Sequence, residues 1–396
     1  MSGRFLTRPF RVLALLQTSY KAHRDVLRGL ARYARLNGSW ALHLFEGRDD
    51  EAFQADMDLS SFDGALIGAT DRYVEPLRRT RIPTIVVDPR RRYRLREESG
   101  ERYTVVRCDN EAIGRMCAEF LLKKNYLQFG YVPAASRAGW SDAREKSFVS
   151  FLTRRGFKTF VYRPEIIDAN GEKQTVSLQR WLAEAPKPIG VMAATDARGR
   201  QTLDACRDVG LKAPLDVAVV GVDNDALLCE STTPFLSSVA TNLEETIFRA
   251  AEILDRQMKG ETNDGETLYY DPVGVVDRGS TAPVLTDDAV VLNALELMRL
   301  NLHRPFGVAE IATKTDVSRR TLELRFQKKL GRSVLDAARE MRLEKAKLLL
   351  TETNRSVADV AKLCGFRSEN YLATVFRERL GVAPLKYRFE NKKSDE

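Results

Sequence analysis

Gly307-Val-Ala-Glu-Ile-Ala-Thr-Lys-Thr-Asp-Val-Ser318 runs on through Arg319-Arg-Thr-Leu322 to Phe326 and Leu330-Gly331. The same pattern returns as Ser356-Val-Ala-Asp-Val-Ala-Lys-Leu-Cys-Gly-Phe366, followed by Ser368, Leu372, Phe376 and Leu380-Gly381. Val308 pairs with Val357 and Ala312 with Ala361; after one extra residue in the second turn, Ser318 pairs with Ser368. Each copy has Ser at a helix start, apolar residues at four-residue steps and Gly at the stop, so each predicts a helix, a tight turn and a second helix. The chain therefore carries two helix-turn-helix units.

The segment between the copies decides what they do together. Residues 333–351 contain no Pro or Gly, open on a Ser cap and place Leu343, Ala346 and Leu350 on one face, which predicts one continuous helix. Such a helix spans roughly 28 Å at about 1.5 Å per residue, close to the roughly 34 Å between successive major-groove faces of B-DNA. Two recognition helices on one strut can thus reach adjacent turns. Charge agrees: residues 305–390 hold 18 Lys+Arg against 11 Asp+Glu, which is +7 of the chain's formal +8. A local excess of this kind suits a phosphate-facing surface better than a uniformly basic protein does.

Arg342-Leu-Glu-Lys-Ala-Lys-Leu-Leu-Leu350, Ser356-Val-Ala-Asp-Val-Ala361, Cys364-Gly-Phe366, Tyr371-Leu-Ala-Thr-Val-Phe376 and Gly381-Val-Ala-Pro-Leu-Lys-Tyr-Arg388 resemble the signature of AraC/XylS-type transcription regulators. The resemblance implies base-reading positions at Arg319, Arg320, Glu323 and Leu324 in the first recognition helix and Glu369, Asn370, Ala373 and Thr374 in the second. Arg suits guanine and Asn suits adenine, whereas Leu324, Ala373 and Thr374 offer only apolar or weak contacts such as thymine methyls. Leu322, Phe326, Leu372 and Phe376 are expected in the core.

The rest of the chain is of ordinary soluble composition, with 396 residues, 43% hydrophobic and 30% charged, long enough for two or three domains. The apolar run Val12-Leu-Ala-Leu-Leu16 is too short for a signal peptide, nothing reaches the length of a membrane span, and the five cysteines are scattered without metal-ligand spacing. A cytoplasmic chain with free thiols and no metal or cofactor is the expectation. From residue 11 to residue 286 short apolar runs alternate with helical stretches, predicting an α/β fold of parallel, doubly wound sheets in two lobes. The arginine-rich run at 90–96 is expected to be a solvated loop.

Phe62-Asp-Gly-Ala-Leu-Ile67, Ile82-Pro-Thr-Ile-Val-Val-Asp88, Cys108-Asp-Asn-Glu-Ala-Ile-Gly114, Ala194-Thr-Asp-Ala197, Val219-Val-Gly-Val-Asp-Asn224 and Val276-Asp-Arg-Gly-Ser-Thr281 resemble the sugar-binding core of LacI/GalR regulators. That core shares its type I fold with periplasmic sugar-binding proteins. The resemblance implies a sensor at about 10–283, with lobe one at about 10–108 and 236–283 and lobe two at about 109–235. With the first strand expected to begin near Arg11, no counterpart is expected ahead of it for the DNA-binding headpiece that opens LacI proteins.

Asp196 and Asp223 each follow a predicted strand, in the crevice where such folds bind small ligands. A carboxylate accepts bonds from paired hydroxyls, Arg144 can donate two, and Trp140 can stack on an apolar sugar face. Arg24 and Asp109 are weaker candidates, and an Asp after a strand can equally be a helix cap. No phosphate-cradling loop, metal cluster or Ser-His-Asp arrangement accompanies the carboxylates, so a sensor is expected and not an enzyme.

Residues 284–288 lead directly into the apolar stretch 289–300, read as the first helix of a DNA-binding domain at 286–390 and capped by Thr286 or Asp287. Within that domain the helix-turn-helix units fall at about 307–331 and 356–381. A LacI-like sensor followed by an AraC-type reader resembles the XylR-type regulators of D-xylose operons. That resemblance implies a homodimer that binds operator DNA, takes D-xylose as effector, and engages RNA polymerase if it activates. The alternatives are a regulator of the same architecture that senses another pentose or a hexose and, in a different class, a sugar-binding protein whose C-terminal module binds protein or RNA.

Overall fold

The computed structural model describes residues 8–37, 40–46, 59–68, 80, 82–88, 103–135, 138–163, 172–261, 266–281 and 288–391. The run at 90–96 and the expected caps Thr286 and Asp287 lie outside them. The chain divides into Met1–Pro283 and Val284–Glu396.

In the first unit, short Val-, Ile- and Leu-rich runs covered on both faces become parallel strands. One sheet has the order β11-β5-β4-β3-β1-β2, from β1 (Phe10–Leu16), β2 (Trp40–Glu46), β3 (Gly64–Ile67), β4 (Thr84–Val87), β5 (Tyr103–Cys108) and β11 (Thr267–Tyr270). The other has the order β12-β10-β9-β8-β6-β7, from β6 (Phe129–Val132), β7 (Thr159–Val161), β8 (Ile189–Ala193), β9 (Val217–Val222), β10 (Ser237–Thr241) and β12 (Pro272–Val276). Every pairing is parallel except that of β12 with β10. Helix α1 (Lys21–Asn37) packs with the first sheet, whereas α2 (Asn110–Lys123), α3 (Gly139–Thr153), α4 (Glu172–Glu184), α5 (Asp196–Asp208) and α6 (Ala226–Glu230) go with the second. Helix α7 (Leu243–Met258) returns to α1 and to strands β4, β5 and β11 of the first sheet. Each lobe has its own core, around Leu13, Ala65, Ile67 and Val86 in the first and around Val132, Val191, Ala193 and Val219 in the second.

The lobe boundaries expected above need one correction. Residues 236–283 do not all return to lobe one. Strand β10 pairs in register with β9, Ser237 opposite Val220, and β12 folds back antiparallel on β10. Beyond β12, Ser280 donates to the Val219 carbonyl and Ser237 Oγ to the Arg278 carbonyl, so the tail of the sensor also closes lobe two. Only α7 and β11 belong to lobe one, and the chain crosses between the lobes three times: at Asp109, at Asn242 and at Asp271.

The second unit is all helix: α8 (Ala289–Leu300), α9 (Val308–Lys314), α10 (Arg319–Leu330), α11 (Val334–Glu352), α12 (Val357–Leu363), α13 (Glu369–Leu380) and α14 (Pro384–Asn391). The two copies match element for element. Ser318, Ser333, Ser356 and Ser368 cap the helices they precede through their hydroxyls, and Gly331 and Gly381 close α10 and α13 in the left-handed conformation. Helix α8 is capped by Asp288, not by Thr286 or Asp287: its carboxylate takes the Val290 and Val291 N–H groups.

The strut is shared between two cores. Val334, Ala337 and Ala338 at one end of α11 pack with Val291, Ala294, Ile311, Leu322 and Phe326. Leu343, Ala346 and Leu350 at the other pack with Val360, Ala361, Leu372 and Phe376. The extra residue of the second turn is Arg367, just before Ser368; Gly365, the counterpart of Asp316 at φ +56°, sits at φ +67°, where a Cβ would lie 2.7 Å from the Leu302 and Arg304 carbonyl oxygens. Only glycine fits that approach.

Candidate functional site

The candidate ligand residues gather at the carboxyl ends of both sheets, where the loops of an open parallel sheet leave a crevice. Arg144 reaches it from α3. Its side chain is buried, with Nη1 donating to the Ala194 carbonyl at 2.6 Å, Nε donating to Asn110 Oδ1 at 2.9 Å and Nη2 directed to Cys108 Sγ at 3.8 Å. Its guanidinium carbon stands 4.9 Å from the centre of the half-buried Trp140 ring, one helical turn before it. Burial disfavours the Arg144 charge, but the fields of Cys108 and Asp223 outweigh it and hold the group firmly protonated.

Asp223 and Asp196 were read from the same pattern, yet the structure uses them differently. Asp196, at the start of α5, is almost fully enclosed. Its Oδ2 accepts the Asp225 N–H at 2.6 Å and its Oδ1 accepts the Ser238 hydroxyl. Gly221 makes room for it, since a Cβ there would fall 2.2 Å from Asp196 Oδ1. Asp196 is thus a brace between α5, β9 and β10. Asp223 ends β9 at φ +105°, followed by Asn224 at φ +51°, two non-glycine residues in a region that costs strain. Among the described residues no hydrogen bond engages the Asp223 carboxylate. Burial pushes both carboxyls above the ordinary range; the charge of Asp223 raises Asp196 further, while Arg144 and Lys21 pull Asp223 back down.

Two weaker candidates also find internal partners. Asp109 caps α2 through the Ala112 N–H at 2.8 Å. Arg24 donates to the carbonyls of Thr18 and Ser19 and, across the cleft, lies 2.5 Å from Asp225 Oδ2. An ion pair thereby links lobe one to lobe two beside the site. Sequence reasoning passed over Asp225, as well as Asn110 and the Asp88 and Tyr270 pair, whose hydroxyl-to-carboxylate bond is 2.6 Å. Asp88 closes β4 as Asp223 closes β9, so the same strand-end signal pointed to it.

On the DNA-reading unit, Arg319, Arg320 and Leu324 are exposed on α10, while Leu322 and Phe326 are buried. Glu369, Asn370 and Thr374 are exposed and Ala373 half-buried on α13, with Leu372 and Phe376 buried. Glu323 departs from the expected base-reading face: half-buried, it accepts the Val334 N–H at 3.2 Å and ties α10 to the start of α11. Exposed Arg367 and Arg377 flank the second reading face and were not singled out by sequence. Among the described residues no cluster could hold a metal ion, and no helix is long and apolar enough to cross a membrane.

Residues 118–281 match the family described as a periplasmic binding protein-like domain, and residues 311–389 match a helix-turn-helix domain. Cleft, duplicated readers and matches define a class: the chain is a DNA-binding transcription regulator with a periplasmic-binding-protein-like sensor ahead of an AraC-type reader. Over nearly its whole length it is similar to the xylose operon regulatory proteins. It is 26% identical to that of Haemophilus influenzae, covering 97% of this chain and 99% of the relative. It is 27% identical to that of Escherichia coli K12, covering 97% and 98%. The solved structure of the xylose-binding transcription activator xylR superposes with a TM-score of 0.82 at 25% identity, covering 98% of this chain and all of that one. These relatives are transcription regulators, not enzymes.

Proposed function

We propose that the chain senses D-xylose in the cleft between its lobes and thereby controls how its two helix-turn-helix units read operator DNA. The observation that carries this reading is the Asp223 carboxylate, held in strained backbone and without a hydrogen bond among the described residues, beside the protonated Arg144. An anion accepts two hydroxyls of a sugar, a guanidinium donates to its oxygens, and the Trp140 ring covers an apolar face. Arg24, Asp109 and Asp196 act one step back: Arg24 bridges the lobes, Asp109 caps α2 and Asp196 fixes the loop that carries Asp223. The full-length similarity to xylose operon regulators supports xylose among the sugars.

Arg319, Arg320 and Leu324 on α10 and Glu369, Asn370, Ala373 and Thr374 on α13 would meet base edges, with Glu323 supporting them from behind. The regulator would act in the cytoplasm as a homodimer on paired sites, with RNA polymerase as a further partner if it activates. A thermal-shift panel of pentoses and hexoses tests the effector, because a ligand bound by the native state raises its melting temperature. Salt-dependent, sequence-selective binding to promoter DNA tests the reader; preference for RNA, or no selectivity among DNA sequences, would overturn it.

A further inference from the structure

The two helix-turn-helix units differ where their recognition helices meet the rest of the domain. Aligning Ser318 with Ser368 sets Glu323 against Ala373 and Arg325 against Val375. Val375 is buried in the second core beside Phe376 and Leu372, so α13 is held there by apolar packing. At the matching position of the first copy, Arg325 Nη1 donates to both oxygens of Asp288, at 2.9 Å each. The same Asp288 Oδ1 takes the Val290 and Val291 N–H groups, at 3.0 and 3.3 Å. Slight burial raises the Asp288 carboxyl, but Arg325 and the two N–H donors outweigh it and hold the group below its ordinary range. Glu323 supplies the second tie, to the first residue of α11. Helix α10 is thus gripped at two helix N-termini by hydrogen bonds that the matching positions of α13, Ala373 and Val375, cannot make; the tie of α13 to a helix start is the longer ion pair of Arg379 with Asp336, at 3.8 Å.

We propose that Asp288 is a positioning residue for DNA reading, which through Arg325 sets the seat of α10 and makes the first helix-turn-helix the adjustable reader of the two. An apolar contact tolerates small slides, whereas an ion pair is either made or broken. Asp288 is also the fifth residue of the second unit, which begins at Val284, so whatever reaches this unit along the chain from the sensor arrives at the residue that holds α10. The pair is partly exposed, with side chains 42% and 11% accessible for Arg325 and Asp288, which keeps its strength modest and its state reversible.

The proposal rests on α10 being a reader, and the test separates the two. The full chain selects an operator from random DNA, and base changes are then placed only under the segment protected by the first unit or only under that protected by the second. Asp288→Asn keeps an acceptor for the helix cap and removes the charge. It is expected to lose roughly two- to fivefold of the discrimination in the first segment and none in the second, the span of an exposed ion pair. Arg325→Gln should lose the same, the double variant no more, and Arg325→Lys should keep most of it. The melting temperature should move little. Unchanged discrimination in Asp288→Asn, or equal loss in both segments, would overturn the positioning role. A wild-type chain indifferent to bases in the first segment would instead overturn the reading of α10 itself.

Discussion

Replacing Asp225 with Asn removes one half of the ion pair across the cleft while keeping the side chain's shape and the backbone N–H that Asp196 accepts. Arg24 stays anchored to lobe one through the Thr18 and Ser19 carbonyls, so the change falls on the link between lobes. A hydrogen bond between charged groups contributes about 1.5–3 kcal/mol when enclosed, and an exposed ion pair about 0.2–1 kcal/mol. Asp225 is 8% accessible, but Arg24 is 25% accessible and can rehydrate. The cost should lie between those limits, at roughly 1–2 kcal/mol. Because the pair exists only with the lobes together, that cost falls on the closed state. A sugar that binds the closed state then loses the same amount, or about five- to thirtyfold in Kd. Isothermal titration with D-xylose measures it. Arg24→Gln should cost about as much and the double variant little more. A folded Asp225→Asn chain that binds xylose with unchanged Kd would refute the reasoning.

Asp223→Ala should leave the fold and basal DNA binding intact and weaken xylose binding about tenfold to a hundredfold by calorimetry, since one charged hydrogen bond contributes roughly 1.5–3 kcal/mol; parent-like binding would refute its place in the site. The raised carboxyls of Asp196 and Asp223 mean that the folded sensor holds protons the unfolded chain releases above about pH 4. Their contribution to stability is therefore present below about pH 4 and lost as pH rises through their folded values, while xylose affinity, which needs the Asp223 anion, should rise over the same interval and flatten in Asp223→Asn. Arg320→Ala should cost about 1–3 kcal/mol on the cognate site and relax preference at one base pair, whereas equal loss on random DNA would mark a phosphate contact. Footprinting should show two major-groove segments about one turn apart for each subunit, and a single segment would remove the strut argument.

The reader was legible because its determinants are local. Ser caps, Gly stops and four-residue apolar steps specify each helix independently, and repetition fixed the pairing of residues that would otherwise be ambiguous. The strands of the sensor were equally plain where Val and Ile clustered. Strands β11 and β12 were not: Thr267-Leu-Tyr-Tyr270 is only four residues long, and Pro272-Val-Gly-Val-Val276, which contains Pro and Gly, follows it after a single residue with no turn signal between them. Missing them misplaced the lobe boundary. At the site, sequence gave Asp196 and Asp223 the same status because both follow a strand. What separates them is tertiary: Gly221 and Ser238 close around one, while the other stands at a positive φ with no hydrogen bond to its carboxylate among the described residues. Glu323 misled for a similar reason, since its helix face was right but a neighbouring helix start claimed its carboxylate.

The triple crossing of the sensor bears on how the chain is made. Lobe one lacks its edge strand β11 until Tyr270 has been synthesised, and lobe two lacks β12 until Val276 has. Neither sheet can be finished from a contiguous early stretch, even though β1 to β5 emerge first. At about 5–20 residues per second the ribosome needs roughly 14–55 s to reach that point, during which unpaired strand edges wait. The helical unit that follows is contiguous and built on near neighbours, so it can close quickly once released. Nascent chains of this regulator should therefore depend on chaperone cover through most of their first three hundred residues, and far less for the last hundred.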